Sequence, residues 1–479
     1  FQALAERLEQ YSPQWASQVC DVPAELVEKV AREFGTIRPA VIDPGWHDPK
    51  YENSVQTWRM AAVLNAMVGN IDKPGGLVFN AVGRNVTSSP LPESRVDVQW
   101  MKEKGIIVST AQPHILAYIE AILTGKPYPI KALMVWGGNW IRTVPDEDKV
   151  KAAFKKLEHV IVVDNMATDT AMYADVILPD TTYLERDDPL FGVAFTPDKA
   201  MYSAFKVIDP IYDARPLIDI AVSIADKMGM KEKYFHALAV ILGMGEDKAP
   251  VLQQAYEAEG IAGIRKLQAK GKGIDLGELQ SKGVVLLTPR EKLIGTMPYK
   301  KPLQTPTGKV EIYSMKLLGI TSKAGKNPNW DPLPDWVPPR VFNKASGNVF
   351  YLTYGRSPVT SHTHTSDNDL LISIARKGHY GLWINAKRAA ELGIKDGDLV
   401  KVTSLATGKS ATAVAFVTEG VRPDTVFTVS GWGIESDRLT NAKRVGGVPM
   451  NRMWKIFEDQ YKLLPNALMQ EILVRVEKA

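Results

Sequence analysis

Cysteine is almost missing from this chain: Cys20 is the only one in 479 residues. One thiol excludes an internal disulfide, and it excludes any iron–sulfur cluster or zinc finger held by cysteines of this chain alone. Long apolar runs are lacking as well. No uninterrupted apolar stretch reaches the roughly 18 residues that a membrane-spanning helix needs. Neither sign of charge dominates, with 58 Lys and Arg against 54 Asp and Glu for a net +4. No basic block stands out, so nucleic acid is not a favoured partner. Short-period repeats and a GxGxxG fingerprint are absent too. What remains is an ordinary globular composition, 45% hydrophobic and 23% charged, in a chain long enough for roughly two to four domains.

The pattern divides the chain into four segments. Residues 1–110 read as a first α/β lobe, with a helix from about Pro23, a strand at Ala40 to Asp43 and a helix from Asn53 into LNAMVGN. In that lobe Asp21 is expected to cap the following helix, leaving Cys20 just before it as a small buried thiol. Residues 111–205 form a second α/β lobe. Residues 206–340 hold an amphipathic helix near Leu217 to Met228, a charged helical insertion from Glu246 to Lys282, and a Pro-rich linker from Asn327 to Arg340. Residues 341–479 turn to β texture, with alternating runs at Val349 to Thr353, Leu399 to Ser404, Ser410 to Val417 and Thr425 to Val429, and one helix at Ala386 to Leu392.

The second lobe is the most informative. Ala132 to Trp136 is an apolar run that stops at Gly137-Gly138-Asn139; a helical pattern, Asp146 to Leu157, follows, and a second run from His159 stops at Asp164. That is a βαβ unit. Its strands expose their carboxyl ends at one crevice, where Gly137 and Gly138 let backbone amides approach a phosphate and Asp164 accepts hydrogen bonds from a ribose or purine edge. A plain structural turn is the competing reading of the Gly-Gly pair. In the β region, Arg356, Ser357 and Thr365 offer a planar fork and two hydroxyls after a strand, which suits a phosphate. His362 and His364 make an H-x-H pair, but no cysteine or carboxylate cluster accompanies them, so no metal ligand is assigned.

GGN, then PD, then VVDNMATDTAMYADVILPDTTYLER resembles the second pterin-binding segment of the molybdopterin oxidoreductases, the dimethyl sulfoxide reductase family. LNAMVGNIDKPGG, TPTGKVEIYS, LTYGRSPVTSHTHT and INAKRAAELGIKDGDLVKVTS fit the same family in the same order. The resemblance implies two Rossmann-like cofactor lobes and a C-terminal double-psi β-barrel that caps them. It implies bis(molybdopterin guanine dinucleotide) with molybdenum or tungsten as cofactor. Gly137, Gly138, Asn139, Asp164, Thr168 and Thr170 would then face one nucleotide end, with Asp164 on the guanine or its ribose. Tyr354, Arg356, Ser357, His362, His364, Thr365, Ser430, Trp432 and Asn451 would face pterin and diphosphate from the barrel. The turn at Ser430 to Gly433 equally suits a plain tight turn with a core tryptophan.

Further expectations attach to the same resemblance. His47, in the loop after the first strand, and Arg84, after the Pro-Gly-Gly turn, are the catalytic candidates, with a satisfied structural histidine and a surface arginine as the competing readings; Gln56, Arg59 and Asn85 also suit an anionic substrate. Glu185 and Arg186 read either as site residues or as a surface ion pair. Family members usually begin with a cysteine domain holding a 4Fe-4S cluster and then supply a metal ligand. The chain is therefore expected to be the carboxyl-terminal part of a longer catalytic subunit, inactive alone. Within the family the GWH loop, the NAMVGN helix and the short barrel look most like polysulfide and thiosulfate reductases. The implied substrate is a small anionic sulfur species, with tetrathionate, arsenate or formate chemistry, or a cofactor-free structural subunit, as the alternatives. An iron–sulfur electron-transfer subunit and a membrane anchor subunit are the implied partners, placing the enzyme at a membrane, on its extracytoplasmic face, without a span of its own.

Overall fold

A computed structural model describes residues 1–43, 45, 51–77, 95–104, 115–193, 198–292, 294, 295, 303, 305–455 and 471–479. The chain divides into two units, one made of Phe1–Trp46, Val55–Ser89 and Asp180–Trp336, the other of His47–Ser54, Pro90–Pro179 and Val337–Ala479.

The second unit contains the expected βαβ element. Strands β1 (Ala132–Trp136), β2 (His159–Asp164) and β3 (Val176–Pro179) run parallel with β2 in the middle, in the register Leu133 opposite Val160 and Ile161 opposite Val176. The helix Glu147–Lys156 returns the chain from β1 to β2; Glu147 and Asp148 in its first turn and Lys155 and Lys156 in its last complement its dipole. Its buried face, Val150, Ala153 and Phe154, packs with Val160 and Val162 of the middle strand and with Ile119 and Ile122 of the helix Ile115–Thr124. Each of the larger side chains, Val, Ile or Phe, contributes about 1.5 to 3 kcal/mol by leaving water.

In the first unit, helices occupy Gln2–Leu8, Pro13–Cys20, Ala24–Thr36 and Ser54–Met67. The strand expected at Ala40 to Asp43 does not form. The side-chain amide of Asn65 takes the place of a neighbouring strand instead, donating to Ile42 O at 2.8 Å and accepting from Ile42 N at 3.0 Å. Cys20 is exposed rather than buried, because it ends a helix whose C-cap, Asp21, is left-handed at φ 57°. The Pro-rich stretch is not a free linker. Gln56 donates to Pro328 O and Asp331 O, and Arg59 to Asp331 O, Ile312 O and Pro332 O, so Asn329, Trp330 and Leu333 are buried. A small antiparallel sheet, β4 (Phe191–Gly192), β5 (Lys199–Tyr202) and β6 (Val284–Thr288), went unread in the sequence. The charged insertion is helical at Ala249–Lys272, broken at Glu259 and Gly260, and at Leu276–Lys282.

The remaining strands belong to the second unit: β7 (Val349–Gly355), β8 (Leu382–Asn385), β9 (Leu399–Ser404), β10 (Ser410–Thr418), β11 (Thr425–Val429) and β12 (Leu473–Lys478). They close a six-stranded barrel in the order β10-β8-β11-β7-β12-β9. Two pairs, β7 with β11 and β8 with β10, are parallel, while β9 and β10 form a hairpin. Alternation on β7 points Phe350, Leu352 and Tyr354 inward, where they meet Leu382, Ile384, Val400, Val402, Val426, Val474 and Val476. The mixed α/β architecture with a C-terminal barrel, expected from the sequence, is present.

Candidate functional site

The carboxyl ends of β1 and β2 carry the two loops singled out in the sequence. Gly137 follows β1 at φ +53°, a left-handed conformation, and its N–H donates to Val163 O at 2.9 Å, which holds the turn against β2. Nothing lies within 4 Å of a Cβ built on Gly137, so the turn opens on free space. At the end of β2, Asp164 Oδ1 accepts Met166 N at 2.9 Å and starts the turn.

Asn139 and Thr170 serve the scaffold first. Asn139 Oδ1 accepts Thr170 N at 3.2 Å and Thr170 Oγ1 at 3.0 Å, and Asn139 Nδ2 donates to Asp169 Oδ2 at 3.2 Å. The amide therefore staples the two strand-end loops together. Thr168, between them, is buried with its hydroxyl unpartnered. A buried donor without a partner is costly, and it suits a ligand group at this edge.

Three barrel turns meet these loops. Nε2 of His364 lies 3.2 Å from Asn165 Oδ1, joining the loop after β7 to the loop after β2. The turn after β11 reaches the same loop through Ser436 Oγ, which donates to Ala167 O at 2.6 Å, and Glu435 N, which donates to Asp169 Oδ1 at 2.7 Å. Asn451 Nδ2 donates to Arg142 O at 2.5 Å, while its Oδ1 is buried without a partner.

Within the barrel loop, Ser357 and Thr365 act as turn caps: Ser357 Oγ accepts Val359 N and Thr360 N, and Thr365 Oγ1 accepts Ser361 N at 2.7 Å. Arg356 Nη1 sits 2.6 Å from His362 Nε2. Burial, then the charge of Arg356, holds the imidazole below its usual value, so the ring is neutral and accepts. His362 itself is left-handed, at φ 50°. Gly431, at φ +95°, packs on the His362 backbone so closely that a Cβ there would fall 2.2 Å from its carbonyl oxygen. Ser430 N donates to Gly355 O, and Trp432 is a core residue whose Nε1 donates to His379 O. Burial pushes the Tyr354 hydroxyl up to about 12.

The local sequence does not announce a charge network around the buried Arg142, with Glu147 and Asp169 buried and Glu435 half exposed. Arg142 Nη1 meets Glu147 at 3.2 Å, its Nε meets Asp169 at 3.0 Å and its Nη2 meets Glu435 at 2.5 Å; the last two are ion pairs outside hydrogen-bonding angles. Arg452 donates to Glu147 at 2.7 and 3.1 Å and contacts Glu435, and Lys151 pairs with Glu147. Burial alone would raise Glu147, but Arg452, Lys151 and Arg142 outweigh it and hold the carboxyl at about 2. A sequence signal existed only for the i,i+4 pair of Glu147 with Lys151.

Several candidates fall elsewhere. His47, Arg84 and Asn85 lie outside the described residues. Gln56 and Arg59 have their donors occupied by carbonyls, as described above. Glu185 accepts Thr182 N and Ile211 N, and Arg186 pairs with Asp188 and Asp180, so each anchors its own backbone turn. Among the described residues no three His, Cys, Asp or Glu side chains gather as a metal would require.

Two strand-end loops thus face barrel turns within one unit, beside the open Gly137 turn and two buried polar atoms without partners. Residues 11–227 match the molybdopterin oxidoreductase family and residues 350–453 the molydopterin dinucleotide binding domain. The chain thus carries a molybdopterin oxidoreductase domain and a molydopterin dinucleotide binding domain. It is 28% identical to the thiosulfate reductase molybdopterin-containing subunit PhsA of Salmonella typhimurium, over 93% of this chain and 59% of that protein. With the dimethyl sulfoxide/trimethylamine N-oxide reductase of Cereibacter sphaeroides it shares 27% identity, over 81% of this chain and 48% of the relative. The chain thus spans about half to three-fifths the length of these relatives. In fold it resembles the acetylene hydratase from Pelobacter acetylenicus, with a TM-score of 0.71 at 18% identity, covering 100% of this chain and 66% of the other.

Proposed function

We propose that this chain supplies the second nucleotide lobe and the barrel cap of a bis(molybdopterin guanine dinucleotide) oxidoreductase holding molybdenum or tungsten, and that the whole enzyme reduces thiosulfate, polysulfide or a related sulfur anion. The observation that carries the reading is the meeting of the β1 and β2 loops with three barrel turns in one unit, where Thr168 Oγ1 and Asn451 Oδ1 are buried and unpartnered. A donor-capable hydroxyl and an amide oxygen fit a pterin or guanine, which presents acceptors and N–H donors along one edge. Gly137 and Gly138 would admit the diphosphate to backbone amides, Asp164 would read the guanine end, and Arg356, held by His362, would offer its remaining donors to phosphate.

When bound, the metal centre of such a cofactor supplies two-electron atom-transfer chemistry. The residues of this chain orient the cofactor and exclude water. His47 and Arg84 stand as the substrate-side candidates by sequence position. The four-segment division at 110, 205 and 340, a 4Fe-4S cluster in a preceding region, an iron–sulfur electron-transfer subunit, a membrane anchor and an extracytoplasmic location all belong to the same proposal. Among the described residues no helix is long and apolar enough to cross a membrane. The choice of a sulfur substrate is supported by the likeness to the thiosulfate reductase subunit of Salmonella typhimurium. The deciding experiment measures molybdenum, tungsten and acid-released GMP in the purified full-length protein, then turnover of thiosulfate, polysulfide, tetrathionate, arsenate and formate. Metal with GMP and turnover of a sulfur anion is the expected result. Absence of both metal and GMP would leave a structural subunit.

A further inference from the structure

Removing a guanidinium from water costs several kcal/mol unless carboxylates surround it. The Arg142 side chain is 4% exposed, and its three carboxylates come from three places: Glu147 from the following helix, Asp169 from the loop after β2, and Glu435 from the turn after β11. Arg452 and Lys151 complete the set, so the network balances three cations against three anions. Apolar packing of the same volume would join these elements about as strongly. Adhesion alone therefore does not account for buried charge here. What the network adds is geometry. Asp169 takes both Asn139 Nδ2 and Glu435 N, Arg142 O takes Asn451 Nδ2, and Asn139 Oδ1 fixes Thr170. Through these bonds the two strand-end loops and two barrel turns are held as one piece.

We propose that Arg142 is a positioning residue of the dinucleotide site, locking the loops after β1 and β2 to barrel residues 434–436 and 450–452 so that Gly137, Asp164 and Thr168 present one preformed surface. The role presumes the cofactor assignment above, yet the lock itself can be tested without cofactor. In the full-length protein, Arg142→Met replaces the guanidinium by an apolar chain of similar length, and Arg142→Lys keeps one charge without the fork. The measurements are hydrogen exchange of peptides covering 138–142, 165–170 and 434–436, the thermal midpoint, and GMP retained after gel filtration.

For Arg142→Met the midpoint should fall, because Glu147, Asp169 and Glu435 lose a shared cation; exchange should rise about tenfold in all three segments together while the barrel strands keep their protection, and retained GMP should fall about tenfold. Arg142→Lys should lie between, and it decides alone if the Met variant does not fold. Faster exchange confined to 138–142, or a lower midpoint with uniformly faster exchange in both variants, would overturn the lock. Wild-type protein without GMP, but with concerted exchange in the variants, keeps the lock and removes the cofactor assignment. GMP present with uncoupled exchange does the reverse.

Discussion

At the scale of single residues, Glu147 and His362 show how far charge can be tuned by neighbours. The Glu147 carboxyl is held at about 2 against its usual 4.5, so its contribution to stability is complete above pH 4.5 and is lost as pH falls toward 2. Glu147→Gln should flatten the acid limb of a plot of thermal midpoint against pH across that window. At neutral pH it should cost about 3 kcal/mol, because Arg142 and Arg452 lose a buried partner. An acid limb identical to wild type would show that other carboxylates set it. For His362, burial first and Arg356 second hold the imidazole down. Arg356→Ala removes the second influence, so the ring should titrate at higher pH by NMR. The residues themselves were partly legible in sequence: Arg356 and His362 stand in one loop, whereas Arg142 gives no local sign, since Asp169 and Glu435 reach it only through the fold.

At the scale of elements, what could be read was what carried its own period. β1, β2 and the helix between them have apolar runs and clear stops, and β7, β9, β10 and β11 alternate over at least four residues. β8 is four residues that run straight into a helix capped by Asn385, so it does not announce itself, whereas β12 alternates buried Val474 and Val476 with exposed Arg475 and Glu477 and was legible in principle. Ala40 to Asp43 has strand composition, but its partner is one side chain, Asn65, which no pattern of periods reveals. Turns obey stricter rules. Gly431→Ala would force a left-handed backbone on alanine and drive its Cβ into the His362 carbonyl, so urea denaturation should report a loss of about 2 to 3 kcal/mol. Gly137→Ala, left-handed but open on every side, should cost only about 1 kcal/mol. Equal losses would mean that the 430–433 turn can move away from the barrel loop.

At the scale of the whole molecule, order should follow burial. The barrel has no free edge and its inward residues are almost entirely buried, while the helix Ala24–Thr36 has no buried residue at all. Hydrogen exchange should therefore be slowest in β7, β8 and β11 and fastest in that helix. Comparable protection in both would show that the helix is covered in solution. The barrel's strand order carries a further consequence, for the timing of its assembly. β12 lies between β7 and β9, so strands more than a hundred residues apart in sequence must meet before the ring is complete. A nascent chain that has emerged through Val429 already presents five of the six strands with Phe350, Leu352 and Val400 unsheltered, and it stays so until Leu473 to Lys478 are synthesised. A chain halted short of Leu473 would therefore keep an unclosed sheet with apolar surface open to aggregation.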